Sequence, residues 1–228
     1  MTDTDDPSSE WISSLGIVDP ASGALVASEA RELIIAAGQN LFPTGPFKLE
    51  QLIIAGLVAR AQSLHESAVD ASIKNNPHAA FTLLRAYVEH CAAVLYIKDH
   101  PTRAENLWND HHGHGVPIGK ITNYAERSGR FVSFREVYRS LSKYAHPGSV
   151  GIFASMQVTG EDDGGFTWQS SPRFKSEGEQ LLAFAWVVEF ARMFHVLIHQ
   201  YAESVGLGTI QGPQSSTELE TGDDTPRN

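Results

Sequence analysis

The stretch YRSLSKYAHPG, residues 138–148, decides how the rest of the chain is read. Just before it and within it, Phe134, Val137, Tyr138, Leu141 and Ala145 recur at threes and fours, the period of a helix that buries one side. Arg135, Arg139, Ser142 and His146 fall beside that stripe, with Lys143 next to them. At about 100° per residue, the seven steps from Arg139 to His146 return to within about 20° of the starting direction, so the spacing predicts that the two share a helix margin. Pro147 and Gly148 are a stop signal, which places a central helix over 131–146.

Upstream, Asn76 followed by Pro77 reads as a cap and first turn. The helix it opens is expected to run to about Lys98 through LLRAYVEHCAAVLYI, residues 83–97. Leu84, Val88, Cys91 and Leu95 make one buried line, with His78, Arg85 and Glu89 on a polar margin beside it. Arg85 and Glu89 are spaced to pair. That pair is read either as a salt bridge within a bundle or as a face turned toward Arg139 and His146 across it. Arg85 and His90, five steps apart, point about 140° away from each other and do not converge, so His90 reads as a core or interface histidine.

The remaining pattern is also helical. A first helix is expected over Leu25–Leu41, ended by Pro43, Gly45 and Pro46. A long one follows over Lys48–Lys74, with Leu49, Leu52, Ile53, Leu57, Ala61, Leu64 and Ala68 as its buried face. Short helices are expected from Pro101 to Trp108 and from Ile118 to Arg127. The last helix runs from Ser176, an N-cap with Glu179 in the capping-box position, to Ser204. Before it, GIFASMQV at 151–158 and GFTWQS at 165–170 flank TGEDDG, which predicts a small β-hairpin or an ordered loop over the end of the central helix. The expected fold is all-α: an up-and-down helical bundle with that insert before the last helix. Residues 1–20 read as an acidic disordered tail on which Trp11 and Ile12 are candidates to dock. Residues 21–206 form one domain, and 207–228 a second disordered tail.

Composition narrows the function classes. The 228 residues carry a net charge of -10, which argues against a general nucleic-acid-binding surface and leaves room only for a local basic patch. One cysteine, Cys91, excludes an intramolecular disulfide and a cysteine metal cluster. The amino terminus MTDTDDPSSE lacks the features of a signal peptide, so a cytoplasmic location is expected. LLAFAWVVEFARMFHVLI, residues 181–198, reaches membrane-span length but holds Glu189, Arg192 and His195; it reads as a central bundle helix that also suits a homodimer seam. Asp110, His111, His112 and His114 form a metal-like loop, and His195 with His199 a helical pair. Both read as polar residues outside any metal site, a metal-dependent hydrolase being the weakest functional reading, and no cofactor is expected.

The arginine, six intervening residues and histidine at a helix end resemble the RX4-6H signature of HEPN domains, helical bundles found in bacterial toxin and abortive-infection proteins. The arginine-and-glutamate segment at 83–97 resembles a helix of uncharacterised bacterial HEPN-like families. The resemblance spans about residues 50–205. It implies metal-independent RNA cleavage at a homodimer interface, with Arg139 stabilising charge on the phosphate, His146 moving the proton and Ser142 orienting either one. Arg85, Glu89, Arg135 and Lys143 would support or bind the substrate, and an antitoxin or other partner protein is implied. The alternative is a non-catalytic dimeric module, binding a partner or sensing a nucleotide, in which Arg85, Glu89, Arg139 and His146 are a structural network.

Overall fold

The computed structural model describes residues 7–41, 48–105, 115–146, 156–158, 166–168 and 171–207. The chain is all-α. In order, the helices are α1 Pro7–Ser14, α2 Pro20–Glu29, α3 Arg31–Gln39, α4 Leu49–Ile73 and α5 Pro77–Asp99, then, after a 3-10 turn Pro101–Arg103, α6 Ile118–Arg127, α7 Phe134–Ala145 and α8 Glu177–Ser204. Met156–Val158 (β1) and Phe166–Trp168 (β2) pair antiparallel, Gln157 opposite Thr167. The expected turn TGEDDG between them, the stop at Pro147 and Gly148, the histidine loop 111–114 and the tail 208–228 lie outside the described residues.

The long helices start and stop where their end chemistry directs. Asn76 accepts the Ala79 N–H at 3.1 Å and Pro77 follows it, so α5 opens there. The turn before it is closed by Asn75, whose φ of 58° lies in the left-handed region. Asn75 N–H bonds to the Ser72 carbonyl and Asn76 N–H to the Ala71 carbonyl, a Schellman closure of α4. Asn75 Oδ1 also accepts the Phe174 N–H at 2.9 Å, which ties the α4–α5 turn to the segment entering α8. At the far end of α8, Gly206 (φ 72°) and Leu207 repeat the same closure onto Glu203 and Ala202. Ser176 caps α8 by accepting the Glu179 N–H at 3.2 Å. The expected capping box is only half made, because Glu179 Oε2 takes the Lys175 N–H at 2.7 Å and its Oε1 takes the Tyr144 hydroxyl.

α5 is the hub. It packs against α4, α6, α7 and α8, while α8 also reaches α1, α2 and α3. Leu84, Val88, Cys91 and Leu95 are buried as the sequence pattern requires. Both α5 and α8 are long and apolar enough to cross a membrane by length and composition, and 67% and 56% of those windows are buried within the protein itself. Gly23 lets α2 lie close on α8: a Cβ there would meet Phe184 Cδ2 at 2.7 Å.

Three expectations need correction. The amino-terminal segment is helical over Pro7–Ser14, with Ile12, Leu15 and Ile17 in the core and Trp11 against Trp186 at 5.0 Å. Its apolar residues find a surface on α8 that composition alone does not reveal. The single helix expected over Leu25–Leu41 is two, beginning earlier at Pro20 behind an Asp19–Ser22 capping box and breaking at Ala30. The buried face of α4 is also rotated from the one expected: Ile54, Val58, Ala61, His65, Ala68 and Ser72 face inward, while Leu49 and Leu52 are exposed.

His65 lies where the last two meet. Its Nε2–H donates to the Ala27 carbonyl at 2.8 Å, beside the break, satisfying a group that a continuous helix would have paired internally. On the other side of the break, His195 Nδ1–H donates to the Leu33 carbonyl at 2.9 Å. His65 is buried, and its Nδ1 has no hydrogen-bond partner among the described residues. Burial holds this imidazole below the ordinary histidine range, a cost that the Ala27 contact offsets only in part. The unfolded chain then takes up a proton near the ordinary value of 6.5 while the folded chain does not. Stability from this source is therefore full above that pH and is lost as pH falls below it. His90, held low by burial with its Nδ1–H on the Ala86 carbonyl, acts in the same sense. The expected result is a urea midpoint that drops between about pH 7 and pH 5.5, His65 contributing at most about 1.4 kcal/mol per pH unit. His65→Gln, which keeps a donor for Ala27 but cannot titrate, should flatten that drop; an unchanged pH profile contradicts the assignment.

Candidate functional site

Arg85 and Glu89 lie one turn apart on the face of α5 that meets α7, with side chains 23% and 21% exposed. Tyr138 reaches them from α7. Its hydroxyl donates to Glu89 Oε1 at 2.7 Å and accepts from Arg85 Nη2 at 3.2 Å. The guanidinium carbon also sits 5.4 Å from the Tyr138 ring centroid, so the ring meets the cation with its face as well as its hydroxyl. Arg85 Nε and Glu89 Oε1 are 3.3 Å apart, an ion pair without hydrogen-bond alignment. Burial opposes the Arg85 charge, but the Tyr138 and Glu89 contacts outweigh it and raise its pKa. The Tyr138 hydroxyl is also pushed up, first by burial and then by the Glu89 carboxylate it donates to.

The fourth member is His146. α7 ends at Ala145, and His146 is extended (φ -105°, ψ 152°), its N–H on the Ser142 carbonyl at 3.2 Å. That turn carries the imidazole toward α5, where Nε2 lies 3.3 Å from Arg85 Nη1. Arginine has no acceptor, so Nε2 accepts and the ring proton is on Nδ1 in this arrangement. His146 itself is exposed. Of the five guanidinium N–H groups, one on Nη2 and one on Nη1 are used and the Nε one faces Glu89, so two remain to meet an anionic oxygen beside the imidazole.

The structure thus brings together Arg85, Glu89 and His146 from the sequence reading, and separates the others from them. Arg139 does not meet His146: the seven-step helical relation fails because the last residue is already outside α7. Arg139 is exposed and makes no hydrogen bond or ion pair among the described residues. Lys143, one turn on, is also exposed, and Arg135 pairs with Glu126 at 3.3 Å. Ser142 Oγ donates to the Tyr138 carbonyl at 2.7 Å, a bond internal to the helix, and so orients neither Arg139 nor His146. His199 pairs with Glu203 at 3.4 Å while His195 holds Leu33, so the two are not joined in one site. Among the described residues no group of three or more histidine, cysteine or acidic side chains is placed to hold a metal.

Tyr138 is the member that sequence reasoning missed. It sits in the apolar stripe of α7 and reads as core, yet Phe134, stacked on it at 5.9 Å, supplies the packing while the hydroxyl points to the polar margin. The available signal was the Arg85–Glu89 pair on a largely apolar helix, which requires a polar partner from whatever packs there. No protein-family model, curated protein or solved structure matches the chain.

Tyr138→Phe keeps the ring and removes only the bridging hydroxyl. It should lower stability by about 1 kcal/mol, the net value of a hydrogen bond of this kind, measured by chemical denaturation. In the Glu89→Gln background the loss should shrink, because the hydroxyl then no longer serves a carboxylate; equal losses in both backgrounds contradict the network.

Proposed function

We propose that the chain is a HEPN-like helical bundle, with the paired segments at 156–158 and 166–168 as a hairpin insert before α8, that cleaves RNA without a metal ion. The supporting observation is the approach of Arg85 Nη1 to His146 Nε2, 3.3 Å, at an exposed edge of α5 and α7. On this reading the charge-stabilising arginine is Arg85 of α5, apart from the segment that carries the histidine, and Arg139 takes a lesser role.

The chemistry follows from the two side chains. An incoming phosphate draws the Arg85 N–H off His146 Nε2, and the freed nitrogen accepts the proton of a ribose 2′-hydroxyl as that oxygen attacks the adjacent phosphorus, while Arg85 faces the equatorial oxygens on which charge develops. The new bond joins the 2′-oxygen to phosphorus and the bond to the 5′-oxygen breaks. The imidazolium returns its proton to the departing oxygen, leaving a 2′,3′-cyclic phosphate and a 5′-hydroxyl. Glu89 and Tyr138 hold the guanidinium in place and touch no reacting atom. Arg139 and Lys143, exposed along α7, offer a short basic track for the RNA backbone on a protein whose net charge is otherwise -10. A cytoplasmic toxin or defence-type effector, acting as a homodimer and held by a partner protein until needed, is the setting this activity suits.

One observation favours a second reading. Glu89 already neutralises Arg85 and Tyr138 completes the contact, so the cluster joins α5 to α7 with no substrate present. A non-catalytic module that binds a nucleotide or partner protein needs nothing more than this.

Labelled single-stranded and transfer RNAs incubated in EDTA with the wild type and three variants separate the two readings. His146→Ala and Arg85→Ala should each lower kcat by about a hundredfold or more, with folding checked by circular dichroism. Arg139→Ala should mainly raise KM, by roughly tenfold, and sharpen the dependence on salt less than in the wild type. Wild-type cleavage no faster than that of His146→Ala would move the assignment to the binding module.

A further inference from the structure

α7 and α8 both pack on α5 but touch each other little, and between them lies a groove of about 830 Å³. Its walls are aromatic. On the α8 side Trp186 stacks on Phe190 at 5.5 Å with the planes 30° apart, and Trp11 tilts onto Trp186. On the α7 side Phe131 and Phe134 stand 5.3 Å apart. Val132, 93% exposed, and Val196, 49% exposed, form its lips. A space of this size lined by apolar rings, with a few polar groups at the edge, has the dimensions of a small-molecule site.

The charges on the rim say which small molecule. Glu189 is paired with Arg192 at 3.1 Å. Arg130 lies 3.6 Å from Asp99, but Asp99 is already held by Lys98 at 3.1 Å and by the Tyr124 hydroxyl at 2.8 Å. Two cations therefore share one carboxylate, and Arg130, 46% exposed, keeps positive charge to spare at the mouth of an apolar groove. Among the described residues the carboxylates at this rim, Glu189 and Asp99, are already paired, so a cationic ligand would meet that charge unanswered and a neutral one would leave it unused. The rings favour a flat body over a flexible chain.

We propose that the groove binds a small aromatic carboxylate, its ring between the α7 and α8 walls and its carboxylate on Arg130. This site is separate from the Arg85–His146 cluster and does not depend on RNA cleavage.

Isothermal titration calorimetry of the full chain with 2-naphthoate tests it, with 2-naphthylmethanol and 2-naphthylmethylammonium as the neutral and cationic comparisons. Saturable binding of naphthoate is expected, about tenfold tighter than the alcohol, with the ammonium weakest. Arg130→Gln should bring naphthoate down to the level of the alcohol. Val196→Trp, at a half-exposed lip where the larger ring enters the groove without disturbing the core, should weaken both. Arg85→Ala should leave naphthoate binding unchanged, so this proposal and the nuclease reading fail separately. Absence of saturable naphthoate binding at millimolar concentration, an acid that binds no tighter than the alcohol, or insensitivity to either groove substitution overturns the proposal.

Discussion

Cys91 to Ile97 of α5 are buried without interruption, so for two turns this helix has no side that faces water. Burial of that kind can be met only by neighbours on every side, and α4, α6, α7 and α8 supply them. Deleting large apolar groups from such a segment costs about 2–5 kcal/mol each, so the position of every surrounding helix is set by contact with α5. One turn earlier the same helix must accommodate Arg85 and Glu89, which cannot be buried unpaired. Tyr138 of α7 and His146 just beyond its end meet that requirement. The candidate site is thus a consequence of the hub: two ionisable groups stand where the apolar enclosure of α5 gives way to solvent.

The same logic places the histidines. His65 and His195 are each spent on a carbonyl beside the α2–α3 break, and His90 on its own helix, so these three serve the backbone. His146 differs in facing a cation and solvent together. Tyrosine hydroxyls repeat one pattern around the core, Tyr124 on Asp99, Tyr138 on Glu89 and Tyr144 on Glu179, each joining an aromatic body in the interior to a carboxylate at its edge. Only the Tyr138 pair also holds an arginine beside an exposed histidine.

Local signals made much of the architecture legible. Asn76 with Pro77, Ser176, and the period of α4, α5 and α8 located the long helices to within a residue or two, because caps and periodicity are written in neighbouring residues. What depends on partners distant in sequence was not legible. α1 packs Trp11 on Trp186 of α8, and α4 turns inward an apolar face that includes His65, whose N–H meets a carbonyl of α2. The Arg139–His146 relation was misread for a local reason, a helix that ends one residue sooner than the pattern suggests. Once α7 stops at Ala145, His146 belongs to Arg85, 61 residues away along the chain. Tyr138 escaped notice because a tyrosine in an apolar stripe announces its ring and conceals its hydroxyl.

The central claim is that Arg85 donates to His146 Nε2 across α5 and α7. Long-range nitrogen–proton correlation spectra of the imidazoles, recorded at about pH 8, read this directly. The wild-type His146 ring should carry its proton on Nδ1, and Arg85→Ala should shift it toward the Nε2–H form while the fold persists. A wild-type His146 already protonated on Nε2, or a tautomer indifferent to Arg85→Ala, would contradict the pairing on which the site is built.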